Sequence, residues 1–293
     1  MRDCVRGRQA CIMRILTPRN CETLRGNSQR HGVCTVMSTI EEWCNECAPP
    51  RIPQAIKCQV WIDFDGTLTS TDVLDTIIER YSQDESWRNV EQSWCEGRIG
   101  SRACLEYEFK LLRITDQELG RELEDVQLDP GAGTLLELLS AQSVPTAILS
   151  DGVDWIIEQI LHRSGLALPT IRANSARHNG DAIRLICANN NPSCPARSAH
   201  CKCVSRDELS AAGRVSIYIG DGRSDLCAAR GCPIIFAKGP LAEALTREGK
   251  SFRSFDSLHD VHQELLETWS PPPGLHPCED DSFLAATLNP RTT

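Results

Sequence analysis

Asp63 and Asp65 stand two residues apart at the end of an apolar run, Gln59 to Phe64 (QVWIDF), and Asp221 and Asp225 stand four apart after a second run, Ser216 to Asp221 (SIYIGD). One of two neighbouring carboxylates can attack phosphorus while the other, kept protonatable, donates to the leaving oxygen and later accepts a proton from water. A strand pleat would turn Asp63 and Asp65 to opposite sides unless the chain coils between them, which Gly66 permits. A phosphate dianion nearing a carboxylate is repelled, so this chemistry also needs a cation and several positive or N–H donors. Asp221 and Asp225 offer hard oxygen ligands suited to magnesium. Ser150, with the backbone N–H groups around Asp151 and Gly152, offers donors to phosphate oxygens at a helix start. Lys202 can place an ammonium on the same phosphate and lower the charge that Asp63 meets.

Such residues work together only if strand ends bring them together. Pro145 to Asp151 (PTAILSD) is a third apolar run that ends acidic, and Pro233 to Gly239 (PIIFAKG) is a fourth that ends in Lys and Gly. Each is followed by a helix-like segment, and this alternation predicts a mostly parallel sheet flanked by helices, an α/β fold. Ligands of such sheets sit at the carboxyl ends of the strands, near the point where strand order reverses. From about Thr71 to Asp129 strand signals are missing. Val73, Leu74, Ile77, Ile78 and Tyr81 recur at helical spacing instead, as do Leu105, Phe109 and Leu112, then Leu119 and Leu123. Most of these are core packing residues of a small helical module inserted after the first strand. The expected division is a core over 58–70 and 130–268, a helical insert over 71–129, a disordered extension over 1–50 and a loose Pro-rich tail over 269–293.

Composition narrows the function. With 293 residues and 41% hydrophobic content the chain can bury one large core with an inserted module. A net charge of −9 argues against a nucleic-acid partner, which requires Lys and Arg to neutralise phosphates. Residues 1–36 differ from the rest, with seven Arg, no Lys and only two acids, Asp3 and Glu22. They hold no long apolar run, so neither a secretory signal nor a membrane anchor is expected. Translation from Met37 would remove this segment. The 16 Cys fit reduced thiols in a cytoplasmic chain better than a disulfide framework.

The motif DFDGTLT, Asp63 to Thr69, resembles the nucleophile motif of haloacid dehalogenase superfamily phosphatases. SDG (Ser150 to Gly152), Lys202 and GDGRSD (Gly220 to Asp225) resemble that superfamily's remaining three motifs, in order. Four motifs in sequence are far more specific than one DxD. The resemblance implies a three-layer Rossmann-like parallel sheet with a small helical cap. It further implies Asp63 as nucleophile and magnesium ligand, and Asp65 as general acid and base whose carbonyl binds the metal. Asp221 and Asp225 would complete the Mg2+ site, and Ser150, Asp151, Gly152 and Lys202 would hold the phosphoryl group. Longer strings, EGRIGSRACLE (Glu96 to Glu106), CKC (Cys201 to Cys203), YIGDGRSD and FAKG, are similar to the phosphoserine-phosphatase-like branch, especially 2-hydroxy-3-keto-5-methylthiopentenyl-1-phosphate phosphatases of methionine salvage. The similarity spans about residues 58–265. Gly66 departs from the phosphoserine branch, which commonly carries Ser there.

Arg98, Ser101 and Arg102 are the candidates for a substrate-facing rim on the cap, which should close over the phosphate and exclude water. Asp72 and Asp75 either face substrate hydroxyls or cap a helix. Cys187, Cys194, His200, Cys201 and Cys203 crowd around Lys202 and could hold a structural zinc, although packing thiols account for them as well. Cys44 and Cys47 form an isolated CxxC. The reading is a phosphatase acting on a small phosphorylated metabolite, with no nucleic-acid or membrane partner. Phosphoserine or phosphocholine hydrolysis and a catalytically silent binding protein are the alternatives.

Overall fold

The computed structural model describes residues 49–270. All but the last two residues of the expected N-terminal extension, the Cys44/Cys47 pair and all but the start of the Pro-rich tail lie outside the described residues. Seven strands form one sheet: β1 (Cys58–Ile62), β2 (Thr146–Val153), β3 (Thr170–Asn179), β4 (Ala182–Ile186), β5 (Val215–Gly220), β6 (Ile234–Ala237) and β7 (Arg253–Ser254). Their spatial order is β4-β3-β2-β1-β5-β6-β7. All neighbours pair in parallel except β3 and β4, which form an antiparallel hairpin at one edge. Four of these strands are those that the apolar runs predict. β3 has polar residues at seven of its ten positions (TIRANSARHN) and the hairpin lies at an edge, so it lacks the continuous apolar run of a strand buried on both faces.

Alternation along the central strands divides the core in two. Val60 and Ile62 of β1 and Ile217 and Ile219 of β5 enter one apolar cluster, whereas Trp61 and Tyr218 enter the other. The first is covered by three helices, Ala132–Ala141, Asp154–Arg163 and Leu258–Trp269, the second by Lys202–Leu209, Leu226–Arg230 and Gly239–Arg247. The result is three layers, helix on sheet on helix, because a sheet buried on both faces needs a helical cover on each.

Between β1 and helix Ala132–Ala141 lie four helices: α1 (Val73–Tyr81), α2 (Trp87–Cys95), α3 (Ser101–Leu111) and α4 (Asp116–Asp125). Their apolar stripes, including Val73, Ile77, Phe109, Leu119 and Leu123, join the first cluster. Local chemistry sets the helix starts. Asp72 caps α1 by accepting from the Asp75 N–H at 2.9 Å, and Thr115 with Glu118 forms a reciprocal capping box on α4.

The chain winds outward from β1 through β2 to β3, then returns to the far side of β1 as β5, β6 and β7. Strand order therefore reverses at β1, and the crevice of such a sheet opens beyond the carboxyl ends of β1, β2 and β5. Register aligns these ends, since Ile62 pairs with both Ile148 and Ile219. Asp63, Ser150 and Asp221 follow directly from that level.

Candidate active site

Leaving β1, the chain coils at once. Asp65 has extended backbone angles and Gly66 takes φ +72°, a left-handed conformation that favours glycine. A Cβ on Gly66 would meet Asp221 Oδ2 at 2.8 Å, so the missing side chain also lets the β1 loop approach the β5 end. Asp63 and Asp65 consequently reach the same crevice along different paths.

Asp63 is buried, 4% exposed, and its Oδ1 accepts from the Phe64 N–H at 2.8 Å and from Lys202 Nζ at 2.6 Å. The same ammonium donates to Asp225 Oδ1 at 2.7 Å. Lys202 opens the helix Lys202–Leu209 and is 3% exposed, so its charge lies between two carboxylates with almost no water to screen it. Burial alone would lower the lysine pKa, but Asp225, then Asp63 and Asp151, outweigh it and hold the group firmly protonated. Asp225 is fixed further by the Tyr218 hydroxyl at 2.7 Å and the Gly222 N–H at 2.9 Å. Asp221 Oδ1 accepts from Thr67 Oγ1 at 2.9 Å.

Asp65 has a different setting. Its Oδ1 accepts from the Val73 N–H at 3.0 Å at the start of α1, and Ser150 Oγ lies 3.4 Å from its Oδ2. Burial first, and the Asp72 charge second, push its carboxyl up to about 8. At neutral pH it is predominantly the protonated acid. Burial, and then Asp225, also raises Asp63 above the usual carboxylate range, against the opposing pull of Lys202.

The β2 end supplies the rest. Gly152 donates its N–H to Ser150 Oγ at 2.8 Å. Asp151 reaches toward the insert. Its Oδ2 accepts from Ser101 Oγ at 2.7 Å, its Oδ1 accepts from the His200 N–H at 2.7 Å, and its carbonyl accepts from Asn174 Nδ2 at 2.6 Å. Asp151 is thus a strut between strand, insert and the loop before Lys202.

The structure gathers Asp63, Asp65, Ser150, Asp151, Gly152, Lys202, Asp221 and Asp225 at these strand ends, with Ser101 joined to Asp151. Arg98 and Arg102 stay on the surface, their side chains 57% and 45% exposed. Arg98 pairs with Glu96, and Arg102 with Glu106 at 2.8 Å and Asn190 at 2.9 Å. Thr67, Tyr218 and Asn174 are site supports that pattern reading missed. Thr67 carried a signal inside the DFDGT string, but Tyr218 and Asn174 read as ordinary strand residues.

Among the described residues, one group of acids and soft ligands converges as a metal site requires: Asp63, Asp221 and Asp225, with ligand atoms all within 4.8 Å of one another. Oxygens of one magnesium octahedron are separated by up to about 4.2 Å, so small adjustments suffice. The charge balance points the same way, because Lys202, with Lys238 near Asp221, faces several buried carboxylates. The thiols of Cys187, Cys194, Cys201 and Cys203 with His200 form no comparable group among the described residues. No helix among them is long and apolar enough to cross a membrane.

Residues 60–230 match the model of the haloacid dehalogenase-like hydrolases. The chain is 27% identical over 219 residues to a 2-hydroxy-3-keto-5-methylthiopentenyl-1-phosphate phosphatase of Lysinibacillus sphaericus, covering 71% of this chain and 95% of the relative. It is 26% identical over 215 residues to an enzyme of the same name from Microcystis aeruginosa, covering 71% and 97%. In fold it resembles a solved phospho-aspartyl intermediate analogue of phosphoserine phosphatase, with TM-score 0.56, 17% identity and coverage of 71% and 98%. The matched region runs from β1 through the Asp225 turn, and the chain belongs to the haloacid dehalogenase-like hydrolases, as a phosphomonoester hydrolase.

Proposed function

We propose that the chain is a magnesium-dependent phosphatase that hydrolyses a small phosphorylated metabolite through an aspartyl-phosphate on Asp63, with 2-hydroxy-3-keto-5-methylthiopentenyl-1-phosphate as its substrate. The observation that carries this reading is the asymmetry of the two β1 carboxylates. Asp63 accepts from the Lys202 ammonium at 2.6 Å, whereas Asp65, two residues on, accepts from the Val73 N–H at 3.0 Å and faces Ser150 Oγ at 3.4 Å, although burial raises both carboxyls.

Asp63 Oδ1 takes both hydrogen bonds, which leaves Oδ2 to attack phosphorus. As the ester bond breaks, the protonated Asp65 donates to the leaving oxygen. Lys202 Nζ offsets the charge on the transferring phosphoryl group, and Ser150 Oγ with the Gly152 N–H orients its oxygens. Asp65, now ionised, takes a proton from the water that hydrolyses the acyl phosphate, and the site returns to its starting state. Asp63, Asp221 and Asp225, with the Asp65 carbonyl, would hold Mg2+, which supplies the divalent charge that lets a phosphate dianion approach a carboxylate.

Helices α1–α4, over residues 71–129, act as a cap on the core of residues 58–70 and 130–268, and Ser101 is the cap residue that reaches the phosphate loop through Asp151. The substrate assignment draws on the names of the relatives at 27% and 26% identity. Turnover of the methylthiopentenyl phosphate, phosphoserine, phosphocholine and p-nitrophenyl phosphate, with Mg2+ and with chelator, tests it. The first should show the highest kcat/KM, and chelation should abolish all turnover. Equal slow hydrolysis of every ester would overturn the substrate, and undiminished activity in chelator would overturn the metal.

A further inference from the structure

Asp151 follows Ser150 on β2, yet its carboxylate bonds to none of the catalytic side chains among the described residues. Its two oxygens accept instead from two other parts of the fold, Oδ2 from Ser101 Oγ of the cap and Oδ1 from the His200 N–H, each at 2.7 Å. The Lys202 ammonium pairs with Asp63 and Asp225. At its root the residue is tied to the neighbouring strand, because its carbonyl accepts from Asn174 Nδ2 at 2.6 Å and Asn174 is 1% exposed.

Each partner is fixed in turn. Ser101 opens α3 and is buried, and its hydroxyl, besides donating to Asp151, accepts from the Ala199 N–H at 3.2 Å. Its one proton is therefore spent on Asp151 and is not free for a substrate. The next residue adds a second contact to the same loop, since the Arg102 N–H donates to the Arg197 carbonyl at 3.3 Å. His200 is fully buried, and its Nε2 lies 2.8 Å from Ser205 Oγ on the helix that Lys202 opens. The segment that delivers Lys202 is thus held by Ser101 at Ala199 and by Asp151 at His200, one and two residues from the helix cap Cys201.

We propose that Asp151 is a positioning residue for Lys202, setting the ammonium between Asp63 and Asp225 through the His200 N–H, and that it does so only while Ser101 of the seated cap occupies its other oxygen. The duty of Lys202 itself rests on the phosphatase reading. Lys202 Nζ reaches Asp63 at 2.6 Å and Asp225 at 2.7 Å from the first residue of its helix, so a shift of the preceding segment carries the ammonium with it. When the cap lifts, Asp151 Oδ2 and the Ala199 N–H lose the same partner together. A carboxylate left with one donor turns toward water, and the His200 N–H then loses its acceptor as well. A displacement near 1 Å at a reacting group costs about a hundredfold in rate. Full phosphoryl-transfer geometry is in this way conditional on a closed cap, which also excludes water.

The test compares Asp151→Ala, Asp151→Asn and Ser101→Ala in the full chain. Turnover of p-nitrophenyl phosphate and of the methylthiopentenyl phosphate is measured beside amide hydrogen exchange over residues 198–202. Asp151→Ala should lower kcat about a hundredfold on both esters, since neither Asp151 nor Ser101 touches the leaving group. Asp151→Asn, whose amide oxygen still accepts from the His200 N–H and whose nitrogen can donate to Ser101, should recover most of that loss. Ser101→Ala should lower kcat by one factor on both esters and speed exchange at Ala199 and His200. If Asp151→Asn is as damaging as Asp151→Ala, the charge of Asp151 matters and not its geometry, and the positioning role is overturned. Losses that differ between the esters would make these residues leaving-group contacts and overturn it too. Ser101→Ala with full activity would overturn the dependence on the cap, and it keeps the test open if Asp151→Ala does not fold. Exchange needs no catalysis, so a wild type protected at 198–202 that turns over no ester would fail the phosphatase reading. An active enzyme indifferent to Asp151→Ala would fail the positioning alone.

Discussion

The two carboxylates at the end of β1 sit among different neighbours, and the duties proposed for them differ accordingly. Asp63 has an ammonium at 2.6 Å, and Asp65 has a hydroxyl at 3.4 Å and the Asp72 charge nearby. If Asp65 protonates the leaving oxygen, its loss should matter most when that oxygen is a poor leaving group. Asp65→Asn should lower kcat for an alkyl phosphate by about 10²- to 10⁴-fold. For p-nitrophenyl phosphate, whose phenolate leaves without a proton, the fall in the phosphorylation step should be far smaller. Burst kinetics on both esters checks this, and an equal fall would assign Asp65 another duty. Spacing placed Asp63, Asp65, Asp221 and Asp225 after apolar runs, and the resemblance of the DFDGTLT motif implied which of the first two attacks and which transfers protons. The sequence could not separate Ser101, which reaches Asp151, from Arg98 and Arg102, which face solvent. That difference lies in the rotation of α3 about its axis, which tertiary packing sets.

At the scale of elements, the start of α3 is pressed onto the loop before Lys202. A Cβ on Gly100 would meet the Arg197 carbonyl oxygen at 2.2 Å, a backbone atom that cannot swing aside. Gly100→Ala should therefore push α3 off the loop, break the Ser101–Asp151 hydrogen bond, and lower kcat/KM. Gly120→Ala, on α4 with nothing within 4 Å of the added carbon, should keep full activity and gain about 1 kcal/mol of stability. Steady-state kinetics with thermal melts of both variants checks this pair. Further along α3, Glu108 is 4% exposed, with the Cys104 thiol at 3.2 Å, and burial pushes its carboxyl from 4.5 up to about 7. Between those pH values the folded state holds a proton that the unfolded state has released, so stability falls as pH rises through the window. The shift corresponds to about 3 kcal/mol. Glu108→Gln, which stays neutral, should lose this component of the decline, read as a flatter dependence of denaturant midpoint on pH from 5 to 8. The helices of the insert were legible from their apolar stripes. The β3–β4 hairpin was not, because edge strands carry the polar residues that period-two reading discounts.

For the whole molecule, one topological fact places the chemistry. Strand order reverses at β1, so β2 and β5 flank the strand that ends at Asp63 and deliver Ser150 from one side and Asp221 from the other. Helix Lys202–Leu209, packed on one face of the sheet, brings the ammonium, and the insert on the other side of the crevice brings Ser101. The four central strands could be read from the sequence because each is buried on both faces and must be apolar throughout. Their order could not be, since it depends on long-range pairing. The central claim is that Asp63 becomes phosphorylated during turnover. Acid quench of the enzyme during turnover, followed by borohydride reduction and peptide mass spectrometry, tests it most directly. Homoserine is expected in place of aspartate at position 63 and nowhere else. Steady turnover with an unmodified Asp63, or modification at another carboxylate, would contradict the account.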